Sequence, residues 1–106
     1  MNIRFSTRAL IDLEKLHDYL LEKSPNGYRN VATAIETTVR DIPGNLFRGR
    51  KTPIGEVWER VVPKYKYIIP YCIRGDTCYI LRVYHSSRPG LDYDAPLDVR
   101  EGIAEK

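Results

Sequence analysis

The period of apolar positions changes along this chain. Ile3 and Phe5 alternate with Asn2 and Arg4, the two-residue period of a short strand. From Leu10 the period lengthens: Leu10, Leu13, Leu16, His17, Leu20 and Leu21 recur at helical spacing, with Asp12, Glu14, Lys15, Asp18 and Glu22 filling the other face. This predicts a helix over 8–23, with Ser6 or Thr7 as its N-cap. Ser24-Pro25-Asn26-Gly27 is a strong break. A second stripe then follows, of Tyr28, Val31, Ala32, Ile35 and Val39, ending near Ile42-Pro43-Gly44. Two amphipathic helices joined by a four-residue link predict an antiparallel hairpin, with both stripes packed on one face of a sheet.

In the back half the period returns to two. Strands are predicted over 57–62, 65–73 and 77–85, the last two joined by a tight turn at Arg74-Gly75-Asp76-Thr77. Between the second helix and these strands, 45–55 reads as an exposed basic loop. The fold class is therefore α+β, in the order β-α-α-β-β-β, with a helix hairpin on a small antiparallel sheet. Pro70 lies inside a strand and has no N–H for a ladder, so a bulge or interruption is expected there. A symmetric hairpin pairs Ile73 with Cys78 and divides the sheet into two faces. Tyr67, Ile69, Tyr71, Ile73, Cys78, Ile80, Arg82 and Tyr84 share one; Ile68, Pro70, Cys72, Tyr79, Leu81 and Val83 share the other. The second set is the more apolar and is expected to meet the helices, leaving the Tyr-rich face for a partner; a bulge at Pro70 would exchange part of this assignment. Trp58, Arg60, Tyr67, Tyr71, Arg82, Tyr84 and Arg88 are the contact residues this reading selects. The domain is expected to span 1–93, with a polar tail over 94–106 that is either partly disordered or a short docking helix over 97–104.

A chain of 106 residues predicts one domain. The net charge of +3 suits an anionic partner and an ordinary soluble surface about equally. Eight Tyr against two Phe fit a partner-facing sheet, or plain strand propensity. No run of about 18 apolar residues is present, and the start lacks the apolar core of a signal peptide, so a cytoplasmic location is expected. Cys72 and Cys78 fall on opposite faces in the hairpin register, which argues against a disulfide and for two small buried apolar residues. There is no Gly-rich phosphate loop and no metal-ligand spacing, so neither cofactor nor metal is expected. Of the two histidines, His17 reads as a packing residue. His85 ends the last strand, just before Ser86, Ser87 and Arg88. It either closes the strand by local hydrogen bonding or, with Glu59 and Arg60, supplies acid–base chemistry to a phosphodiester.

The ordered motifs resemble the RelE/ParE toxin superfamily over about residues 1–93. Ile3-Arg4-Phe5-Ser6-Thr7-Arg8-Ala9-Leu10-Ile11-Asp12-Leu13 is similar to its opening, and Asp18-Tyr19-Leu20 to its first-helix segment. Trp58-Glu59-Arg60-Val61-Val62-Pro63, Tyr67-Ile68-Ile69-Pro70-Tyr71 and Ile80-Leu81-Arg82-Val83-Tyr84-His85-Ser86-Ser87-Arg88 are similar to its strands. The resemblance implies the toxin of a type II toxin–antitoxin pair. In one branch, the RelE-like members, the toxin is a ribosome-dependent messenger-RNA endonuclease; in the other, the ParE-like members, it poisons DNA gyrase. Ile68 stands where the ribonucleases usually carry Arg, and an apolar side chain cannot stabilise a cleaving phosphate. Ile68 and the Leu-Arg-Val-x-His ending favour the ParE-like branch. That branch implies a gyrase inhibitor with no reaction of its own, held by a ParD-like antitoxin in a hetero-oligomer. The alternatives are a RelE-like nuclease using His85, Glu59 and Arg60, and a non-toxic relative that binds only antitoxin.

Overall fold

A computed structural model describes residues 1–87. Strand β1 (Asn2–Phe5) leads into helix α1 (Thr7–Lys23) and helix α2 (Pro25–Asp41). Two 3-10 turns, Ile42–Gly44 and Leu46–Arg48, precede β2 (Arg50–Lys51). The remaining strands are β3 (Trp58–Val61), β4 (Tyr67–Arg74), β5 (Thr77–Ile80) and β6 (Tyr84–His85). The α+β class is as the sequence predicts. The sheet is mixed, however, in the order β1-β5-β4-β3-β2 with β6 also on β4. The first strand pairs parallel with β5, Ile3 opposite Cys78 and Phe5 opposite Ile80.

Two boundaries move. Ser24 alone joins the helices, accepting the Gly27 N–H at 3.0 Å as the N-cap of α2, so Pro25 is its first helical residue and not part of a loop. The basic segment is only partly a loop, because Arg50 and Lys51 pair with Glu59 and Trp58. Gly49 is required there, since a Cβ would lie 2.7 Å from the Glu59 carbonyl and 2.5 Å from the Tyr71 hydroxyl.

The hairpin register holds: Ile73 opposes Cys78 and Arg74 opposes Thr77. Gly75 takes φ +61° in the two-residue turn, a backbone that only glycine adopts freely. The assignment of faces does not hold. The Tyr-rich face is the one beneath the helices: Ile69, Tyr71, Cys78 and Ile80 are buried with Leu16, Val31, Ile35 and Val39. Tyr71 is 1% exposed, and its hydroxyl donates to the Leu46 carbonyl at 2.9 Å. A tyrosine whose tip finds an acceptor inside the fold packs as a core aromatic, so tyrosine content does not mark a face as external. The opposite face carries a second small core of Val57, Cys72 and Leu81, with Ile54 and Tyr79 packed on it, so the 52–57 loop covers it.

Pro70 stays in register opposite Glu59, and the irregularity falls on the facing strand. Tyr71 pairs with Ile80, but Ile68 pairs with Tyr84, so residues 81–83 stand against only two residues of β4. That is a one-residue bulge, formed where proline offers no N–H to hold the ladder. Beyond it the faces exchange: Val83 joins the main core, and Tyr84 aligns with Ile68 instead of Tyr67.

Both cysteines are free and fully buried. Burial pushes the Cys72 thiol up to about 11 and the Cys78 thiol up to about 12. Both thiols are therefore expected to react with a disulfide reagent at pH 8 at least about a hundredfold more slowly in the native protein than after unfolding. Immediate stoichiometric titration of the native protein would contradict this packing. No helix among the described residues is long and apolar enough to cross a membrane.

Candidate functional site

The bulge borders a groove with chemically varied walls. Asp12, one and a half turns into α1, reaches across to it. Its Oδ2 accepts from Arg82 Nε at 2.7 Å and from the Val83 N–H at 2.9 Å, and its Oδ1 accepts from Arg82 Nη2 at 3.1 Å. The carboxylate thus neutralises the guanidinium and also satisfies a backbone donor that the bulge removes from the ladder. This hydrogen bonding holds the Arg82 guanidinium above its usual range. Ser6 acts on the preceding residue: its Oγ donates to the Leu81 carbonyl at 2.8 Å while accepting the Ala9 N–H at 3.0 Å. Helix α1 therefore grips the bulge at two points.

The groove beside it, about 570 Å³, runs between α1 and the start of β4, lined by Lys15, Tyr19, Tyr65, Tyr67, Arg82, Tyr84, His85 and Ser87 among others. The turn before β4 holds Lys64 and Lys66 at φ 73° and 61°. Such left-handed backbone costs side-chain-bearing residues roughly 1–2 kcal/mol each, and here it presents Tyr65 to the groove. Tyr67 and His85 meet edge to face at 5.1 Å. The Ser87 N–H donates to His85 Nδ1 at 3.0 Å, and Ser87 Oγ lies 2.8 Å from the same nitrogen. A backbone N–H donating to Nδ1 makes that nitrogen the acceptor, so the neutral ring carries its proton on Nε2.

The structure separates the residues that the nuclease alternative requires. His85 lines this groove, whereas Glu59 and Arg60 line another, between α2 and β3. Arg60 is buried against Asp41 (Nη2 to Oδ2, 2.6 Å), and Glu59 accepts from Arg50 at 3.0 Å. Of the contact residues selected from sequence, Tyr67, Arg82 and Tyr84 line the His85 groove. Tyr71 is interior, and Trp58 is half-buried with Phe47 against it at 5.7 Å. Arg88 lies outside the described residues, as does the 94–106 tail. Arg60 and Arg82 both pair with carboxylates of the helices, which gives each a structural role. Sequence reasoning passes over Asp12, Ser6 and Phe47. Asp12 and Ser6 look like ordinary helix-surface and cap residues, and only the 70-residue separation of Asp12 from Arg82 reveals the contact. Phe47 is 83% exposed, and its one signal is its place in a basic segment.

The family model described as "ParE toxin of type II toxin-antitoxin system, parDE" matches residues 3–90, and the chain belongs to that family. A search of curated proteins finds no match. Among solved structures, the chain is similar to one described as "Chromosomal ParDE TA system from P. aeruginosa", with 18% identity and a TM-score of 0.71, covering 80% of this chain and 95% of that one. That likeness establishes the fold.

Proposed function

We propose that this ParE-family toxin inhibits DNA gyrase, is neutralised by direct binding of a ParD-like antitoxin in a hetero-oligomer, and acts in the cytoplasm without catalysing a reaction. Membership of the family over residues 3–90 carries this reading. The solved relative comes from a ParDE system, which supports the antitoxin. The geometry of the groove adds weight against a nuclease. The groove's arginine among the described residues, Arg82, is already engaged by Asp12 in both of its carboxylate-facing bonds. A phosphorane in this groove would meet a guanidinium whose charge is compensated, which weakens the stabilisation a nuclease needs.

The test is purified toxin with gyrase, ATP and supercoiled DNA, run beside toxin with translating ribosomes. Blocked supercoiling or trapped cleavage complexes are expected in the first and intact messenger RNA in the second. His85→Ala is expected to retain most gyrase inhibition; a nuclease losing its neutral-pH acid–base would drop about 10²–10⁴-fold. Codon-positioned RNA cuts that vanish in His85→Ala, with gyrase unaffected, would overturn the reading.

A further inference from the structure

The turn after α2 carries an aromatic ring into solvent among cations. Residues 42–55 contain no Asp or Glu, and Phe47-Arg48-Gly49-Arg50-Lys51 sets one aromatic beside three cations. Phe47 is 83% exposed. A lone exposed apolar residue is ordinary, but the backbone on both sides of this one is anchored. Before it, the Leu46 carbonyl accepts the Tyr71 hydroxyl at 2.9 Å, and Leu46 packs on the main core. After it, Gly49 lies so close to Glu59 and Tyr71 that no Cβ fits. The ring is therefore presented outward from a fixed turn, so a contact with it loses little to ordering. Trp58 meets Phe47 edge to face at 5.7 Å, which leaves the Phe47 π-face open, and Lys51 Nζ lies 5.7 Å from the Trp58 ring.

The charge around the two rings is positive. Asp41 Oδ2 accepts from Arg60 at 2.6 Å and from Arg48 at 3.3 Å, and Glu59 accepts from Arg50. Two carboxylates thus face four cations, Arg48, Arg50, Lys51 and Arg60. The side chains of Arg48 and Arg50 are 66% and 59% exposed, so donors remain for a ligand. Arg60 is buried in the groove between α2 and β3, and its Nη1 has no hydrogen-bond acceptor among the described residues. Trp58 and Arg60 share one face of β3, two residues and roughly 6.6 Å apart. An open π-face beside outward guanidiniums matches the base and phosphates of a nucleotide unit. An acidic protein segment would use the cations and leave the Phe47 face without a planar partner.

We infer that Phe47, with Trp58, Arg48, Arg50 and Lys51, is a nucleic-acid contact that stacks an unpaired or terminal base of DNA and holds the adjoining phosphates. The choice of DNA rests on the gyrase reading above. Bases inside an intact duplex are covered on both faces, and inserting Phe47 between them requires unstacking. A single strand, or a base pair at a break opened by gyrase, offers a free face without that penalty. Held there, the toxin bridges the enzyme and the cut DNA, which opposes rejoining of the strands.

The full-length toxin, without gyrase, is titrated with a dye-labelled single-stranded oligothymidylate of about ten nucleotides. A duplex and an oligouridylate of equal length run beside it, each at two salt concentrations. Trp58, the sole tryptophan, gives a second readout through its emission. Oligothymidylate is expected to bind most tightly and to quench Trp58. Phe47→Ala is expected to weaken binding about 10–100-fold. Phe47→Tyr should retain binding, whereas Phe47→Leu should lose it as Phe47→Ala does, because Leu keeps apolar area but no ring face. Arg48→Gln/Arg50→Gln should flatten the log–log salt slope by about 1.4, at about 0.7 per phosphate contact. Circular dichroism should show each variant folded, since the replaced side chains are mainly exposed. With gyrase and DNA, Phe47→Ala should trap fewer cleavage complexes than the natural sequence. No saturable oligothymidylate binding at low salt, or unchanged binding by Phe47→Ala or Phe47→Leu, would overturn the contact and leave the gyrase reading standing. Tighter binding of the duplex or the oligouridylate would overturn the assignment to unpaired DNA. Weaker antitoxin binding by Phe47→Ala, with oligothymidylate binding unchanged, would assign the surface to that protein and overturn the proposal. Gyrase unaffected by a toxin that binds oligothymidylate through Phe47 would overturn the gyrase reading and support the contact.

Discussion

Asp12→Ala should lower the unfolding free energy by about 3 kcal/mol, at the lower end of what breaking a buried ion pair costs. The side chains of Asp12 and Arg82 are only 13% and 24% exposed. Removing the carboxylate leaves a half-buried guanidinium without its counter-charge and the Val83 N–H without an acceptor. For a domain of this size the loss corresponds to a melting-temperature drop on the order of 10–20 °C. Urea unfolding of the single variants and of Asp12→Leu/Arg82→Met measures it. The double variant should recover part of the loss, because it removes both charges together. A loss below about 1 kcal/mol for Asp12→Ala would place the pair with exposed salt bridges and contradict the geometry. The variant should also disturb the His85 groove, since the bulge that presents Tyr84 and His85 is held from α1.

Ser6→Ala should cost about 2–4 kcal/mol, although it deletes one oxygen. Ser6 is 1% exposed. Its hydroxyl caps α1 through the Ala9 N–H and satisfies the Leu81 carbonyl at the bulge. Losing the cap costs about 1 kcal/mol, and leaving the carbonyl without its donor adds about 1–3 kcal/mol. Ser6→Asp separates the two roles: it preserves an acceptor for the helix but sets a carboxylate against the Leu81 carbonyl, so it should be no more stable than Ser6→Ala. Full stability in Ser6→Asp would show that the hydroxyl acts only as a cap.

Much of the fold is legible in the sequence because it is set locally. The helical stripes, the cap at Ser6, the break after Lys23 and the Arg74–Thr77 turn depend on residues a few positions apart. The turn fixes the Ile73–Cys78 register, and the period of two then places Cys72 and Cys78 on opposite faces. The break at Ser24-Pro25-Asn26-Gly27 falls where the sequence puts it but is shorter than four residues, because proline both interrupts one helix and starts the next.

Which face lies inside is not legible. Both faces of this sheet are apolar, and each has a cover: the helices over Tyr71 and Ile80, the 52–57 loop over Cys72 and Leu81. A period of two separates two faces without saying which is buried more deeply, and Tyr71 reads as amphipathic until the Leu46 carbonyl is found at its hydroxyl. The site divides in the same way. That Tyr84 and His85 close a strand follows from the sequence. The bulge opposite Pro70, the Asp12–Arg82 pair, the separation of His85 from Glu59 and Arg60, and the buried guanidinium in the second groove are long-range facts. They join residues tens of positions apart, where side-chain period carries no information and only the packing of α1 and α2 on the sheet decides which charges meet.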